Sequence, residues 1–239
     1  ILMGRIFETR KATMFKRYAK MAKAFTKIGR EIVMAVKLGG PNPESNPRLR
    51  MVMQNAKAVN MPKSNVESAI KRASEKDTSN YEVVVYEGYA PHGVPVLVEC
   101  TTNNPTRTVA SVRMYFNRAN GSLGTSGSVQ FMFEHIVLFK IDAKGFNKDD
   151  LELELIDFGL EDINYDADND HYIIQTAFTN FGQMQNALEA RKITVHESSK
   201  LYVPTNTKEL SPEQVAEVQT MIDKMEEDDD IEAVYHNMA

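Results

Sequence analysis

Residues 136–205 read IVLFKIDAKGFNKDDLELELIDFGLEDINYDADNDHYIIQTAFTNFGQMQNALEARKITVHESSKLYVPT, and the order of elements in this stretch decides the fold. Val137 to Ile141 reads as a strand, Asn147 to Ile156 as a helix, Glu161 to Tyr165 and Tyr172 to Thr176 as two strands, Asn180 to Arg191 as a helix and Ile193 to Tyr202 as a strand. Side chains alternate between the two faces of a strand and gather on one side of a helix every 3.6 residues, so the two periods separate these elements. The resulting βαββαβ order is the split βαβ unit of ferredoxin-like folds, which closes a sheet on its own.

Working outward, the flanks each hold an incomplete unit. On the N-terminal side, Tyr81 to Tyr89 and Val94 to Cys100 are rich in β-branched and aromatic residues and are joined by the turn Ala90-Pro91-His92-Gly93, a hairpin pattern. Asn104-Pro105 then supplies a helix cap with proline in the first turn, ahead of apolar Val109, Val112, Tyr115 and Phe116. A loop from Gly121 to Ser128 leads into Val129 to Phe133, which reads as a third strand. On the C-terminal side, Ser211-Pro212-Glu213-Gln214 caps a helix with Val215, Val218, Met221, Ile222 and Met225 apolar, and Ile231 to Tyr235 is a final strand. One helix and one strand cannot bury themselves, so they complete the sheet begun at Tyr81, and residues 136–205 are expected as a domain inserted into a domain of 79–135 plus 206–239.

Before Tyr81 the chain is helical in pattern. Phe15 to Leu38 contains no proline and one glycine, Gly29, whose helix cost of about 1 kcal/mol is tolerable where another helix approaches closely. Gly39-Gly40-Pro41-Asn42-Pro43 breaks it, and Asn46-Pro47 caps a second helix with Leu49, Val52, Met53 and Ala56 on one side. Asn60-Met61-Pro62 ends that helix, and Ser64 with Glu67 forms a capping-box pattern for a third, with Val66, Ala69, Ile70 and Ala73 inward. Ile1 and Leu2 precede Met3 and are left out of this reading; Gly4 to Met14 is basic without clear period, an arm that orders on a partner. The fold class expected is α+β: a basic all-α domain of three helices at 1–78, followed by two ferredoxin-like α+β domains, the third inserted into the second.

Charge is segregated. The net charge is -5, yet residues 1–76 hold 17 Lys and Arg against 5 Asp and Glu, a net of +12, while the remainder carries -17. On the first long helix Lys16, Lys20, Lys23, Lys27, Arg30 and Lys37 fall in one stripe, opposite Met21, Phe25, Ile28, Ile32 and Val36. Ordinary solvated faces mix both signs in i, i+4 pairs, whereas Glu31 is the only acid between Thr9 and Gly40. A one-signed stripe attracts phosphate backbones by counterion release. The docking set expected is Lys16, Lys20, Lys23, Lys27, Arg30, Arg48 and Arg50, with Arg5, Arg10, Lys11 and Arg17 on the arm. The stripe is lysine-rich and lacks the Arg, Asn and Gln cluster of a base-reading helix, which suits backbone or RNA-shape recognition.

Other chemistries find little support in the sequence. No apolar run approaches the roughly 20 residues of a membrane span, and the first residues lack the apolar core of a signal peptide, so a cytoplasmic protein without a membrane partner is expected. Cys100 stands alone in an apolar run and reads as a buried small hydrophobe. His92, His135, His171, His196 and His236 are scattered without metal-site spacing, and neither a metal nor another cofactor is expected. The loop carrying Gly121, Gly124 and Gly127 could bring backbone N–H groups to an anion, but it has no following lysine and opens a strand, so it is a backbone-contact loop at most and no catalytic residue is nominated. The acidic run Glu226 to Asp230 reads as a solvated turn.

The motifs resemble those of the YebC/PmpR family, which also includes the mitochondrial translational activator of cytochrome c oxidase. The resemblance rests on Phe25-Thr26-Lys27-Ile28-Gly29-Arg30-Glu31-Ile32, Gly39-Gly40-Pro41-Asn42-Pro43, Asn46-Pro47-Arg48-Leu49-Arg50, Asn55-Ala56-Lys57 and Asn60-Met61-Pro62-Lys63. It continues through Tyr86-Glu87-Gly88-Tyr89, Arg107-Thr108-Val109-Ala110, Gly121-Ser122-Leu123-Gly124, Gly127-Ser128-Val129 and Val234-Tyr235-His236-Asn237. It implies three domains, the third inserted in the second, and a non-enzymatic cytoplasmic regulator of gene expression. Family members are described as DNA-binding transcriptional regulators or as ribosome-associated factors that relieve stalling on proline-rich sequences, so the partner implied is DNA or ribosomal RNA.

Overall fold

The computed structural model describes residues 2–74 and 80–239, with side chains described from residue 21 onward. The chain forms two compact units, residues 1–78 and 79–239.

In the first unit, α1 (Leu2–Gly39) is followed by a short turn at Pro43–Ser45, then α2 (Pro47–Ala58) and α3 (Lys63–Ser74). The stretch 4–14, expected as an arm, is instead the first turns of α1. Good helix formers (Arg, Lys, Ala, Met, Glu) and the absence of proline let a helix nucleated further along propagate back at little cost per residue. Ile28, Ile32, Ala35 and Val36 of α1 form one core with Leu49, Val52 and Ala56 of α2 and Val66, Ala69 and Ala73 of α3. Gly29 is not a point of close helix approach, because a methyl group there would meet nothing within 4 Å. Nor does Ser64 cap α3, which starts at Lys63; Glu67 pairs with Lys63 at 3.5 Å, one turn back.

A single side chain joins two helix ends. Asn46, buried, caps α2 by accepting from the Leu49 N–H at 3.0 Å, while its Nδ2 donates to the Ala35 and Gly40 carbonyls at 2.8 Å each, which closes the end of α1. Both helices leave unsatisfied backbone groups at this junction, and one amide serves both ends. The close approach explains Gly39: a methyl group there would sit 2.7 Å from the Asn46 side chain.

The second unit contains β1 (Glu82–Ala90), β2 (Val94–Thr102), α4 (Pro105–Arg118), β3 (Ser122–Leu123), β4 (Phe133–Asp142), α5 (Lys148–Leu155), β5 (Leu160–Asp166), β6 (His171–Ala177), α6 (Phe181–Ala190), β7 (Val195–Pro204), α7 (Pro212–Glu226) and β8 (Ile231–His236). They build two antiparallel sheets, ordered β3-β1-β2-β8 and β5-β6-β4-β7. The second sheet has the split βαβ order. The first has the same layers but a hairpin, β1–β2, at its centre, because its first two strands are joined by a tight turn and not by a helix. As expected from the unburied C-terminal helix and strand, β8 pairs with β2, although the four strands of the other sheet intervene in sequence. Val129 to Phe133 is not a strand: β3 takes the place beside β1, and residues 130–132 form a single helical turn.

Strand β2 is buried from end to end. Val94, Val96, Val98 and Cys100 face α4 and α7, packing on Val112, Phe116, Val218, Met221, Ile222 and Met225. Cys100 is thus the small buried hydrophobe anticipated, and burial pushes its thiol well above the usual range. On the opposite face Leu97 meets Val129, Phe133 and Tyr202, so the two sheets share a small core of their own. The second sheet packs Val137, Phe139, Ile141, Ile163 and Ile174 against Leu151, Leu155, Met184 and Leu188 of its helices.

Candidate nucleic-acid interface

The described part of the basic stripe lies on the side of α1 away from Ile28, Ile32 and Val36, with Lys37 exposed at its end. Successive residues turn by 100°, which puts Lys23, Lys27 and Arg30 within about one quadrant and the core residues half a turn away. These three cations are half-buried, and each takes part in an interaction within the chain. The Nζ of Lys23 is itself buried, so its charge is turned into the protein and not toward solvent. The side chains of Arg5, Arg10, Lys11, Lys16, Arg17 and Lys20 lie outside the described residues.

On α2 the two arginines differ. Arg48 is half-buried, and Arg50 is committed: its Nη1 donates to the carbonyls of Pro43 and Glu44 at 2.8 and 3.0 Å, fastening the turn between α1 and α2. Its charge was legible in the sequence, but this employment was not, because the acceptors are backbone oxygens. Sequence reasoning also left out Lys57, Lys71 and Arg72, which are exposed on α2 and α3. Their spacing makes no stripe on one helix; they add positive charge from two.

The glycine loop of the second unit already holds an anion supplied by the protein. Glu87 in β1 accepts from the backbone N–H groups of Gly127, Val129 and Gln130 at 2.6, 2.7 and 2.8 Å, and its own carbonyl accepts from Gly124 N–H at 2.7 Å. Burial by itself would raise the Glu87 carboxyl, but these three donors outweigh it and hold the group below the ordinary glutamate value. The donors that could have met a phosphate, or continued the strand expected at Val129 to Phe133, are used internally. Gly127 adopts φ +83°, and methyl groups on Gly121 or Gly124 would lie 2.5 Å from Tyr89 O or Ser128 Oγ, so packing accounts for all three glycines.

Across the seam between the sheets, the buried carboxylate of Glu99 on β2 pairs with Lys200 Nζ on β7, and Tyr235 OH donates to Glu99 at 3.3 Å. Burial and this carboxylate raise the Tyr235 phenol above the usual range. Beside them His135 stacks between Phe178 and Tyr202, with ring centroids 4.0 and 4.2 Å away, and Tyr235 meets Tyr202 edge-on at 5.3 Å. Burial, reinforced by Lys200 and opposed by Glu99, holds the His135 imidazole below its ordinary value, so it is neutral at pH 7.

The acidic run after α7 is not simply a solvated turn. Asp230, with a side chain 13% exposed, accepts from Arg107 Nη2 at 2.6 Å, Thr108 Oγ1 at 2.9 Å and Thr102 Oγ1 at 3.3 Å, and Asp228 accepts from Tyr115 OH at 3.1 Å. These contacts tie the entry of β8 to β2 and α4, and give Arg107 and Thr108 a positioning task. The histidines, scattered in sequence, are not all scattered in space: His171 and His196 meet Asp142 at one end of the second sheet.

No helix among the described residues is long and apolar enough to cross a membrane. Residues 5–76 match the model described as TACO1/YebC protein N-terminal domain, and residues 81–238 that of the TACO1/YebC second and third domain. A Flavobacterium psychrophilum protein named "Probable transcriptional regulatory protein" is 54% identical over 236 residues, 99% of either chain. A Myxococcus xanthus protein of the same name is 51% identical over 240 residues, covering 99% of this chain and 100% of its own. The crystal structure of a conserved hypothetical protein from Aquifex aeolicus matches with a TM-score of 0.75 at 36% identity, over 92% of this chain and 91% of that one. With both family models matched along nearly its whole length, this chain belongs to the TACO1/YebC family.

Proposed function

We infer that this protein is a non-enzymatic cytoplasmic regulator of gene expression that docks on nucleic-acid phosphates through its basic helical unit. The observation that carries the reading is the charge division, 17 cations against 5 acids in residues 1–76 of a chain whose net charge is -5. The names of its relatives, probable transcriptional regulatory proteins, support the regulatory half. The docking set is Lys16, Lys20, Lys27, Arg30 and Arg48, continued by Arg5, Arg10, Lys11 and Arg17 along the same helix. Arg50 holds the Pro43–Glu44 turn and is left out, and so are Lys23, whose Nζ is buried, and the glycine loop, whose donors serve Glu87. The separate cores support three domains, with 136–205 inserted between 79–135 and 206–239.

DNA is the target implied by the relatives' names; ribosomal RNA is the second reading, favoured by a stripe rich in lysine and poor in the Arg, Asn and Gln of a base-reading helix. Fluorescence anisotropy of the full chain with duplex DNA and with structured RNA tests the docking. Binding should weaken steeply with salt, each phosphate contact adding about 0.9 to the log–log slope on DNA. Charge reversal at Lys27 and Arg48 should reduce affinity at least about tenfold without sequence dependence. An absence of binding to both nucleic acids at low salt refutes the proposal. Crosslinking in cells separates the targets: a predominance of ribosomal RNA refutes promoter binding as the main activity.

A further inference from the structure

We propose that Asp142, His171 and His196 form a binding site for a divalent first-row transition cation of the zinc type, on the face of the second sheet opposite its helices. Three strands bring the ligands together. Asp142 ends β4 and stands directly across the ladder from His171, the first residue of β6. His196 arrives from the other side through an irregularity of register: Lys140 faces Glu197 and Ile141 faces Val195, so His196 is the extra residue of a bulge in β7. Bulges re-aim a side chain that regular alternation would send elsewhere, and they recur beside functional sites. Here the bulge turns an imidazole toward a carboxylate and a second imidazole.

The distances suit a metal. His196 Nε2 lies 2.8 Å and His171 Nε2 3.7 Å from the same oxygen, Asp142 Oδ1, and one donor atom from each of the three residues falls within 4.8 Å of the others. Ligand atoms around a tetrahedral Zn2+ with bonds of about 2.0–2.2 Å stand about 3.3–3.6 Å apart, between those two values. The imidazole rings meet edge-on with centroids 5.1 Å apart, so neither blocks the other's access to a shared ion. Nδ1 of His171 is buried and, among the described residues, has no hydrogen-bond partner, while Nε2 faces Asp142, so Nε2 is the nitrogen offered to an ion. Two imidazoles and one carboxylate select borderline cations over Ca2+ and Mg2+, which prefer sets of oxygens. The ion would clamp β4, β6 and β7 together and keep positions open for water or a partner's side chain.

The test uses the metal-stripped full chain. Isothermal titration with Zn2+ should show one ion per chain, Co2+ should give the visible absorption of a low-coordinate site, and Ca2+ and Mg2+ should give no heat. His196→Ala and Asp142→Asn should each weaken Zn2+ at least about tenfold. Both side chains are about half exposed, so these variants should keep the wild-type far-UV circular dichroism. His92→Ala, which removes a different histidine–carboxylate pair, should change nothing. With free Zn2+ at about 100 times Kd, the melting temperature should rise by several degrees in the wild type and not in His196→Ala. The proposal is overturned if the wild type binds no Zn2+ tighter than about 100 μM, a Kd on the order of non-specific surface binding, or if His196→Ala and Asp142→Asn bind it as the wild type does.

Discussion

Replacing Glu87 by glutamine keeps the size of the side chain and removes its charge, and the cost can be worked from three bonds. The carboxylate receives N–H groups from Gly127, Val129 and Gln130, all within 2.8 Å, beneath a residue surface only 3% exposed. Glutamine offers one oxygen, so at least one buried N–H faces an amide that is itself a donor. An unsatisfied buried donor costs about 1–3 kcal/mol, and loss of charge assistance in the other two bonds adds about 0.5–1 kcal/mol each. The sum is about 3 kcal/mol. With a urea m value of about 2–3 kcal/mol/M, the unfolding midpoint should fall by about 1 M, followed by far-UV circular dichroism at pH 7. The pH dependence adds a sign. Because the folded-state value of Glu87 is depressed, its contribution is complete above the unfolded value near 4.5 and is lost as pH falls through the folded value. The gap between wild type and Glu87→Gln should therefore narrow as pH falls below the unfolded value near 4.5. A midpoint unchanged at pH 7, or a gap that does not narrow as pH falls below 4.5, would refute the internal-anion account of the loop.

Three further outcomes are expected. Asn46→Ala removes one cap and leaves the Ala35 and Gly40 carbonyls without their donor; it should destabilise the first unit by about 3 kcal/mol, read as faster hydrogen exchange at the Leu49 amide. Glu99→Gln breaks a buried pair and should cost about 3 kcal/mol in chemical denaturation, whereas Glu99→Leu combined with Lys200→Met should recover most of it. His135 should titrate below its ordinary value of 6.5 in an NMR titration of its ring protons. Since the unfolded chain binds that proton more readily, His135 should make folding less stable as pH drops below about 6.5.

Most of the cap signals in the sequence held, the Ser64–Glu67 box being the exception because α3 starts one residue earlier, at Lys63. Asn46-Pro47, Asn104-Pro105 and the Ser211–Gln214 box mark helix starts because a cap needs only residues three positions apart, and each of these caps is made. The unfinished helix and strand after residue 205 pointed to β8 completing the first sheet, an argument from burial. What escaped depends on register across long separations. Two-residue β3 has no periodicity to read, and the donors of Glu87 lie about 40 positions away, in a loop whose glycines suggested an external anion. The meeting of Asp142, His171 and His196 requires the β4–β6 pairing and a bulge in β7, neither of which leaves a spacing motif. The basic stripe was legible as charge, but the tie of Arg50 to two backbone oxygens was not.

The pairing of β2 with β8 has a consequence for how the chain is made. Cys100 stands opposite Ile231, so the open edge of a strand that ends up wholly buried must wait for residues translated long afterwards. At about 5–20 residues per second, that wait is on the order of ten seconds. During it the nascent hairpin offers Val94 to Cys100 as an apolar edge, the kind of surface that recruits stray strands. The second sheet, whose strands all emerge in the interval, can fold meanwhile and cover one face of the hairpin through Phe133 and Tyr202. That contact covers a face and not the edge, so the β2 edge stays open until β8 arrives.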